Sequence, residues 1–326
     1  MNYTIKEIAE LTGVAKSTVS KALNGQKGVS EEKRQEILKL ASKCNYVPNA
    51  AARALSHSKS ETIGILISSD AEYMINSSYW MEIIVSVAEE AERNNYNILL
   101  IRQDEKDPLK SLQNAVFKRA IDGVVIPAEQ ATKEIIKLLE KANIPFVFQG
   151  KSALWSNYCV DVKNEDGGKV LTTKLLENGC RKIGCIAGPE EFSYNKERVE
   201  GFKAALKDYG IEHCPVVYTD YKRDETLANI KKFIKENPGL DSFFITAGGD
   251  FLFHIFDAMK ECGLKDGKTS LAIFDDCPQI HYLPYRIFSA RQPVKQMGFQ
   301  DAKILFQLIK GENPPKLSLF DINLVK

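Results

Sequence analysis

The chain has 326 residues, of which 44% are hydrophobic and 27% charged, with a formal net charge of +1. No apolar run approaches the roughly 20 residues that span a bilayer, and the polar start, with Lys6 and Glu7, lacks a signal-peptide core, so we expect a cytoplasmic protein without a membrane partner. The seven cysteines are odd in number and show no Cys-x-x-Cys spacing, which favours reduced thiols over disulfides.

Positive charge is concentrated near the N-terminus. Residues 1–60 contain ten Lys and Arg against five Asp and Glu, so they carry a net charge of +5 and the rest of the chain carries −4. A basic module on a slightly acidic body is attracted to phosphates, although a charge of +5 is also compatible with an ordinary solvated surface. The charge distribution therefore favours a nucleic-acid partner without requiring one.

Residues 4–24 have the pattern of two short helices joined at a glycine. Thr4 and Glu7 have the spacing of a capping box, and Gly13 ends the first helix. The second helix runs from Ala15 to about Leu23 and turns a short polar face outward. That face consists of Lys16, Ser17, Ser20, Lys21 and Asn24, with Thr18 beside it in reach of a phosphate. Two helices in this arrangement present the second to a DNA major groove.

A third helix follows, with Ser30 as its cap and two glutamates in its first turn. Its apolar side closes a small three-helix core. The alternative interpretation of residues 1–45 is a helical bundle with no ligand, because helix-turn-helix patterns give false positives. The segment that follows argues against this alternative.

Residues 46–56 predict a short helix that needs a partner. Pro48 stops the preceding helix, Asn49 can cap a new one, and the alanines after it favour a helix too short to be stable alone in water. Taken by itself, the segment is equally compatible with a plain interdomain linker.

From about Thr4 to the C-terminus, the sequence resembles the LacI (lactose-repressor-like) family of bacterial transcription regulators. Beyond the helix-turn-helix, segments 62–67, 121–125, 198–202 and 274–276 are similar to the family's landmarks. The resemblance implies a homodimer on a pseudo-palindromic double-stranded DNA operator, with paired hinge helices in the minor groove. It further implies that Leu55 wedges between base steps and that Ala52 packs beside it. The predicted DNA-binding residues are Thr4, Lys16, Ser17, Thr18, Ser20, Lys21, Asn24, Ser30, Tyr46, Asn49, Ala52 and Leu55.

From Glu61 onward, short buried strands alternate with helices. The strands are expected near 63–68, 97–101, 123–126, 146–148, 158–161, 182–187, 215–218, 242–246 and 270–274. The helices are expected near 79–94, 109–119, 131–142, 165–178, 194–209, 224–236 and 250–262. Repeated strand-helix units predict parallel sheets with helices on both faces, and two such series predict two subdomains.

The predicted fold class is therefore α/β, with an all-α helix-turn-helix headpiece and two doubly wound parallel-sheet subdomains of the periplasmic-binding-protein type. The expected domains are a headpiece at 1–47, a hinge at 48–60, and an effector-binding and dimerisation domain at 61–326. Within the last, the expected N-subdomain covers about 61–156 and 292–312. The expected C-subdomain covers about 157–289 and 313–326.

Ligands of such sheets bind outside the carboxyl ends of the strands, in the cleft between the subdomains. Tyr79 and Trp80 follow the first strand and could stack on a sugar or a base, and on spacing alone they could equally be core residues. The resemblance places this pair in the pocket of a small-molecule effector, with a sugar as the expected class. It assigns the same pocket to Arg198, Tyr221 and Asp275, whereas Asp276 is expected to be structural. Gln292, on a crossover back to the first subdomain, and Phe192, on the loop before Arg198, are further candidates for the pocket.

Three positions depart from the family's pattern. Gly249 and Gly150 stand where many relatives carry an Asn and an Asp, so two polar contacts to a common hexose are missing. Ala15 replaces a frequent serine at the start of the second helix, which removes a phosphate contact. These departures make the identity of the sugar open.

Two other classes of protein were weighed. An enzyme is disfavoured by three observations. Gly150-Lys151-Ser152 lacks the glycine run of a phosphate-binding loop, and the sequence contains no nucleophile elbow and no dinucleotide-binding fingerprint. The four histidines show no metal-ligand spacing. We therefore expect no catalytic residue, no metal and no cofactor. A soluble periplasmic sugar receptor would share the two-subdomain plan, but it would need an export signal and no headpiece.

Overall fold

The computed structural model describes residues 3–23, 25–44, 46, 59–69, 77–152, 154, 158–249, 251–264 and 267–325. The chain divides into two compact units, Met1–Ser60 and Glu61–Lys326, a division that coincides with the predicted boundary before residue 61. The predicted hinge segment 48–58 and the predicted contact residues Asn24, Asn49, Ala52 and Leu55 lie outside the described residues.

The N-terminal unit contains three helices: α1 (Ile5–Thr12), α2 (Lys16–Leu23) and α3 (Glu31–Lys43). The predicted capping box forms, because the Thr4 amide donates to Glu7 Oε2 at 2.6 Å and the Glu7 amide donates back to Thr4 Oγ1 at 3.4 Å. Gly13 ends α1 with a φ of 65°, in the left-handed region that glycine adopts without strain. The Ser30 side chain caps α3 by accepting from the Lys33 amide.

The three helices enclose a core of Ile8, Val19, Ala22 and Ile37. Arg34 joins α3 to the end of α2, since its guanidinium donates to Ala22 O at 3.2 Å. The C-terminal end of the second helix is thereby attached to α3, and its apolar side faces the core.

The larger unit consists of two six-stranded sheets with helices around them. The strands are β1 (Thr62–Ile67), β2 (Asn97–Arg102), β3 (Gly123–Pro127), β4 (Phe146–Gln149), β5 (Cys159–Val162), β6 (Ile183–Ala187), β7 (Val216–Tyr218), β8 (Ser242–Ile245), β9 (Ser270–Ile273), β10 (Arg286–Arg291), β11 (Leu317–Phe320) and β12 (Asn323–Val325). The helices are α4 (Ser78–Arg93), α5 (Lys110–Phe117), α6 (Lys133–Ala142), α7 (Asn164–Glu177), α8 (Ser193–Asp208), α9 (Arg223–Glu236), α10 (Phe251–Glu261) and α11 (Val294–Ile309), with short 3₁₀ turns at Ala128–Gln130 and Pro278–Tyr282.

The first sheet has the order β11-β5-β4-β3-β1-β2 and the second the order β12-β10-β9-β8-β6-β7. All described pairs are parallel except β10 with β12. Helices cover the sheets, so β3 is buried and apolar along its length and β4 is apolar up to Gln149 at its carboxyl end. The predicted α/β class with two doubly wound subdomains is confirmed.

The assignment of strands to subdomains differs from the prediction at two places. Residues 157–162 and 313–320 were expected in the C-subdomain, whereas β5 pairs with β4 and β11 pairs with β5, all within the first sheet. A buried apolar run identifies a strand but not its sheet, because both sheets bury the same kinds of residue. The chain therefore crosses between subdomains near residue 163, at 292–293 and at 321–322.

Among the described residues, no helix combines the length and the apolar character that crossing a membrane requires.

Candidate effector cleft and DNA-binding surface

The second helix of the N-terminal unit presents the predicted polar face. Lys16, Ser17 and Lys21 are exposed, Thr18 and Ser20 are half-buried, and Val19 is completely buried on the opposite side. Neither lysine forms an ion pair with a described residue. Cationic side chains that are exposed and uncompensated on one helix face suit a phosphate or a guanine edge.

Three further predicted contact residues have structural roles in this unit. The side chains of Thr4 and Ser30 cap α1 and α3, and both residues are exposed. Tyr46 is half-buried and packs against the three-helix core. A contact of these residues with DNA stays a prediction.

A cleft of about 1130 Å³ lies in the larger unit, lined from both subdomains. Its walls are built by residues at the carboxyl ends of strands, the place where doubly wound sheets bind ligands. Six of the seven predicted effector residues line it: Tyr79, Trp80, Arg198, Tyr221, Asp275 and Gln292. Phe192 is not among the lining residues. It stacks on Tyr194 at 5.8 Å between ring centroids, and Tyr194 lines the cleft instead.

Arg198, on α8, is a deeply buried charged group of the cleft. Its side chain is 5% exposed, its Nε donates to Asn164 Oδ1 at 2.8 Å, and its Nη1 donates to Thr246 O at 2.6 Å. The guanidinium carbon lies 3.5 Å from the centroid of the Phe274 ring. These contacts fix the plane of the guanidinium, so that it is preorganised for forked hydrogen bonding.

Asp275 joins the guanidinium to the crossover segment. One carboxylate oxygen lies 3.7 Å from Arg198 Nη1, and the other accepts from Gln292 Nε2 at 2.6 Å. Because Gln292 lies where the chain returns to the first subdomain, this hydrogen bond connects the C-subdomain wall to a crossover. The affinity of a ligand that contacts Asp275 would therefore depend on the relative position of the subdomains.

The neighbouring Asp276 has the structural role that the sequence suggests. Its side chain is fully buried, and it accepts from Ser289 Oγ at 2.7 Å and from Arg291 Nη2 at 2.7 Å, with His281 Nε2 at 2.9 Å. Burial, the largest influence, raises the pKa of Asp276, but these three groups together outweigh it, so the pKa lies below its usual value.

The aromatic pair at the start of α4 has two roles at once. Trp80 is 3% exposed and belongs to the hydrophobic core, yet it also lines the cleft. Tyr79 meets it edge-on at 5.4 Å, and the Tyr79 hydroxyl accepts from Gln149 Nε2 at 2.6 Å. Both interpretations of the pair, core and cleft, are therefore compatible with its position.

Tyr221 is held in an uncommon backbone conformation, with a φ of 69°. Its ring packs edge-on against Phe251 at 4.9 Å, and its hydroxyl accepts from Asn195 Nδ2 at 3.2 Å. A β-carbon at Gly188 would lie 2.0 Å from that hydroxyl, so only glycine leaves room for the ring. The strained backbone and the close approach together fix one aromatic face at the cleft wall.

Sequence reasoning missed three polar residues on the N-subdomain wall: Glu129, Gln149 and Asp161. Each lies in or just after a strand of the first sheet, at its carboxyl end. This position was the available signal, but β5 was assigned to the other subdomain. The described residues contain no group of three or more His, Cys, Asp and Glu side chains arranged to hold a metal.

The backbone conformation explains why residue 150 is a glycine, where many relatives carry an aspartate. Its φ is 95°, and its amide donates to Val160 O at 2.7 Å. Any side chain here would be strained in that conformation, so the missing carboxylate is linked to the local turn.

Comparison with known proteins identifies the chain's relatives. Residues 60–266 match the family described as "Periplasmic binding proteins and sugar binding domain of LacI family", and residues 4–49 match "Bacterial regulatory proteins, lacI family". The chain belongs to the LacI family of bacterial regulatory proteins. It is thus a DNA-binding transcriptional regulator with a ligand-binding domain.

Individual LacI-family relatives span nearly the whole chain. The HTH-type transcriptional repressor PurR of Actinobacillus pleuropneumoniae serotype 3 (strain JL03) is 31% identical over 319 residues, covering 94% of this chain and 91% of the relative. The HTH-type transcriptional regulator CelR of Thermobifida fusca is 25% identical over 324 residues, covering 97% and 94%. These relatives are regulators rather than enzymes.

Solved structures of the LacI family share the fold. The structure of a transcriptional regulator CelR–cellobiose complex aligns with a TM-score of 0.75 at 23% identity, covering 100% of this chain and 99% of the other. The lac repressor dimer bound to operator and the anti-inducer ONPF aligns with a TM-score of 0.79 at 20% identity, covering 100% and 98%.

Proposed function

We propose that the chain is a dimeric repressor whose operator affinity is set by a carbohydrate bound in the cleft. The observation that carries this proposal is the combination, in one chain, of a basic helix face at Lys16 and Lys21 with a large cleft lined by aromatic and charged side chains. The helix face supplies phosphate and base contacts, and the cleft supplies a site through which a small molecule can act.

The chemistry of the cleft suits a polyhydroxylated ring. Tyr79 and Tyr221 offer aromatic surface on opposite walls, while Arg198, Asp275 and Gln292 offer fixed donors and acceptors between them. Sugars combine an apolar ring face with hydroxyl groups that both donate and accept, so this mixture matches them. The sugar-bound CelR structure and the family's sugar-binding domain support the same class.

The homodimer is supported by apolar surface on the N-subdomain. Met81 and Val85 on α4, Leu100 on β2 and Phe117 at the end of α5 are all exposed, and β2 is an edge strand of the first sheet. Large exposed apolar side chains on an edge strand and on the helices that pack against it are typical of an interface. The structural relative on operator DNA is itself a dimer.

Coupling between the two sites follows from the contacts across the cleft. A ligand that contacts both walls of the cleft favours one angle between the subdomains over another. The difference between the ligand's affinities for these two arrangements sets the shift in DNA affinity, which is typically about 1–3 kcal/mol. The hinge at 48–60 would transmit this change to the headpieces.

The test is operator binding in the presence of sugars. Operators are first selected from random-sequence duplexes with the full-length chain, and affinity is then measured with and without cellobiose, maltose and ribose. We expect one sugar to change the operator affinity about 5–150-fold. If Arg198→Met retains both the sugar affinity and the coupling, the cleft is not the effector site.

A further inference from the structure

The N-subdomain wall of the cleft carries negative charge without a matching cation. Glu129 and Asp161 both line the cleft, and the Coulomb interaction between them is repulsive. Glu129 forms no ion pair with a described residue. Asp161 is 5% exposed and holds its charge through backbone and amide donors, namely the amides of Lys151 and Val162 at 2.9 and 2.7 Å and Asn164 Nδ2 at 3.0 Å.

The lysines of this wall have other partners. Lys151 Nζ is paired with Glu197 of the other subdomain, and Lys295 Nζ lies 3.4 Å from Glu89. Residues 70–76, 153 and 155–157, which the structure does not describe, contain no lysine or arginine. The protein therefore supplies no cation for Glu129 from these parts of the first subdomain.

A second, independent observation points to a ligand at the same place. The Gln149 side chain is 2% exposed, lines the cleft, and donates through Nε2 to Tyr79, but its Oε1 has no hydrogen-bond partner among the described residues. A buried acceptor without a donor is costly, and ligand sites are where such groups are tolerated. Gln149 thus leaves an acceptor for a donor from outside the protein, in the same cleft as the Glu129 carboxylate, which has no ion-pair partner among the described residues.

A neutral ligand would cover these carboxylates without compensating their charge, which deepens their desolvation. A protonated amine has three donors and a positive charge, so it satisfies the acceptors and balances the carboxylates together. A metal ion is a weaker candidate, because no three His, Cys, Asp or Glu side chains converge here among the described residues.

We propose that the effector is an amino sugar whose protonated amine faces Glu129 and Asp161, while its hydroxyl groups meet Arg198, Asp275 and Gln292. This inference rests on the proposed carbohydrate effector and narrows its class. Glu129 is the specificity-determining residue, since Asp161 already has donors from the protein. Burial raises the pKa of Glu129 to about 7, with Asp161 adding to the rise, and a bound ammonium group would bring the pKa down.

The experiment compares matched sugar pairs on the full-length chain by isothermal titration at pH 7. The pairs are glucose with glucosamine, galactose with galactosamine, mannose with mannosamine, and cellobiose with its diamino counterpart. Each N-acetylated hexosamine is added as a neutral form of similar shape. We expect at least one amine to bind 10-fold or more tightly than both its hydroxyl partner and its N-acetyl form.

Two variants locate the effect. Glu129→Gln should reduce the preference for the amine to about 2-fold or less and leave the affinity for the hydroxyl sugar within about 3-fold. Glu140→Gln makes the same charge change on the exposed side of α6 in the same subdomain and should leave the preference unchanged. If Glu129→Gln does not fold, the comparison of each amine with its N-acetyl form on the unaltered chain still decides whether the cleft prefers a protonated amine.

The outcomes separate this inference from the proposed function. A hydroxyl or N-acetyl sugar that binds as tightly as its amine overturns the inference and leaves a carbohydrate effector standing. If no member of the panel binds, the amino-sugar inference is overturned, whereas the carbohydrate class is decided by the operator titrations with cellobiose, maltose and ribose. Operator binding, measured on the same sample, still reports on the DNA-binding function.

Discussion

Replacing Arg198 by methionine should destabilise the larger unit and abolish effector binding. The guanidinium is buried and donates to Asn164 and Thr246, and its loss leaves both acceptors and the Asp275 carboxylate without their partner. Methionine fills most of the volume, so the change isolates the polar contacts from the packing.

The magnitude follows from these contacts. The charged guanidinium donates two buried hydrogen bonds, and each hydrogen bond to a charged group contributes about 1.5–3 kcal/mol, so losing both costs about 3–6 kcal/mol. For a domain of 150–250 residues, 1 kcal/mol shifts the melting temperature by about 2–4 °C, so we expect a fall on the order of 10 °C. The contact with the Phe274 ring adds to the loss, because methionine cannot replace a cation over an aromatic face.

The assay is differential scanning calorimetry of the full-length chain, with Arg223→Met as the matched control. Arg223 pairs with Asp257 at 2.8 Å, but the two side chains are 64% and 47% exposed, and a surface pair contributes about 0–1 kcal/mol. The control should therefore shift the melting temperature by less than about 4 °C. Equal shifts in the two variants, or none in Arg198→Met, would refute the reasoning.

Three further predictions test other parts of the molecule. Lys21→Ala should weaken operator binding and lower its salt dependence by about one phosphate contact. Lys39 is also exposed but lies on α3, so Lys39→Ala should leave both the affinity and its salt dependence unchanged. Undiminished affinity of Lys21→Ala in gel-shift titrations would show that Lys21 does not contact the operator. The lowered pKa of Asp276 stabilises the fold above the usual pKa of an aspartate, and this stability is lost as the pH falls through the lowered pKa. Asp276→Asn should therefore flatten the decline of melting temperature below about pH 4. A decline as steep as that of the unaltered chain would contradict the stabilising role of Asp276. Lys151→Met breaks the ion pair with Glu197 that links the subdomains, so the ligand-free protein should have a larger radius of gyration in small-angle X-ray scattering. An unchanged radius of gyration would show that this ion pair does not hold the cleft closed.

The headpiece was predictable in detail because local chemistry decides it. The Thr4 and Glu7 capping box, the left-handed Gly13 and the Ser30 cap are all interactions within four residues of sequence, and each forms as expected. The core residues Ile8 and Val19 follow from helical periodicity alone. Such signals are independent of the rest of the fold.

Strands β1–β9 were predictable as strands but not always in their sheets, whereas β10, β11 and β12 were not predicted. Cys159–Val162 is a fully buried run, yet only long-range pairing places it beside β4 rather than in the second sheet. β11 and β12 are short, half-exposed and without a helix between them, so the alternation of strands and helices gave no signal for them. Their position depends on the third crossover near residues 321–322.

The cleft was predictable where a family landmark exists and incomplete elsewhere. Arg198 and Asp275 line the cleft, whereas Phe192 is not among its lining residues and stacks on Tyr194. Glu129 and Gln149 carry no motif, and their importance follows from burial and from missing partners, which are properties of the folded chain.

The most direct test of a sequence-specific regulator is competition between duplexes. Full-length protein is titrated at physiological salt into a labelled duplex selected from a random pool, and then into a scrambled duplex of the same composition. Specific sites typically bind at least about 1,000-fold more tightly than non-specific ones, and we expect that ratio here. Equal affinity for the two duplexes, with and without the sugars named above, would contradict the account.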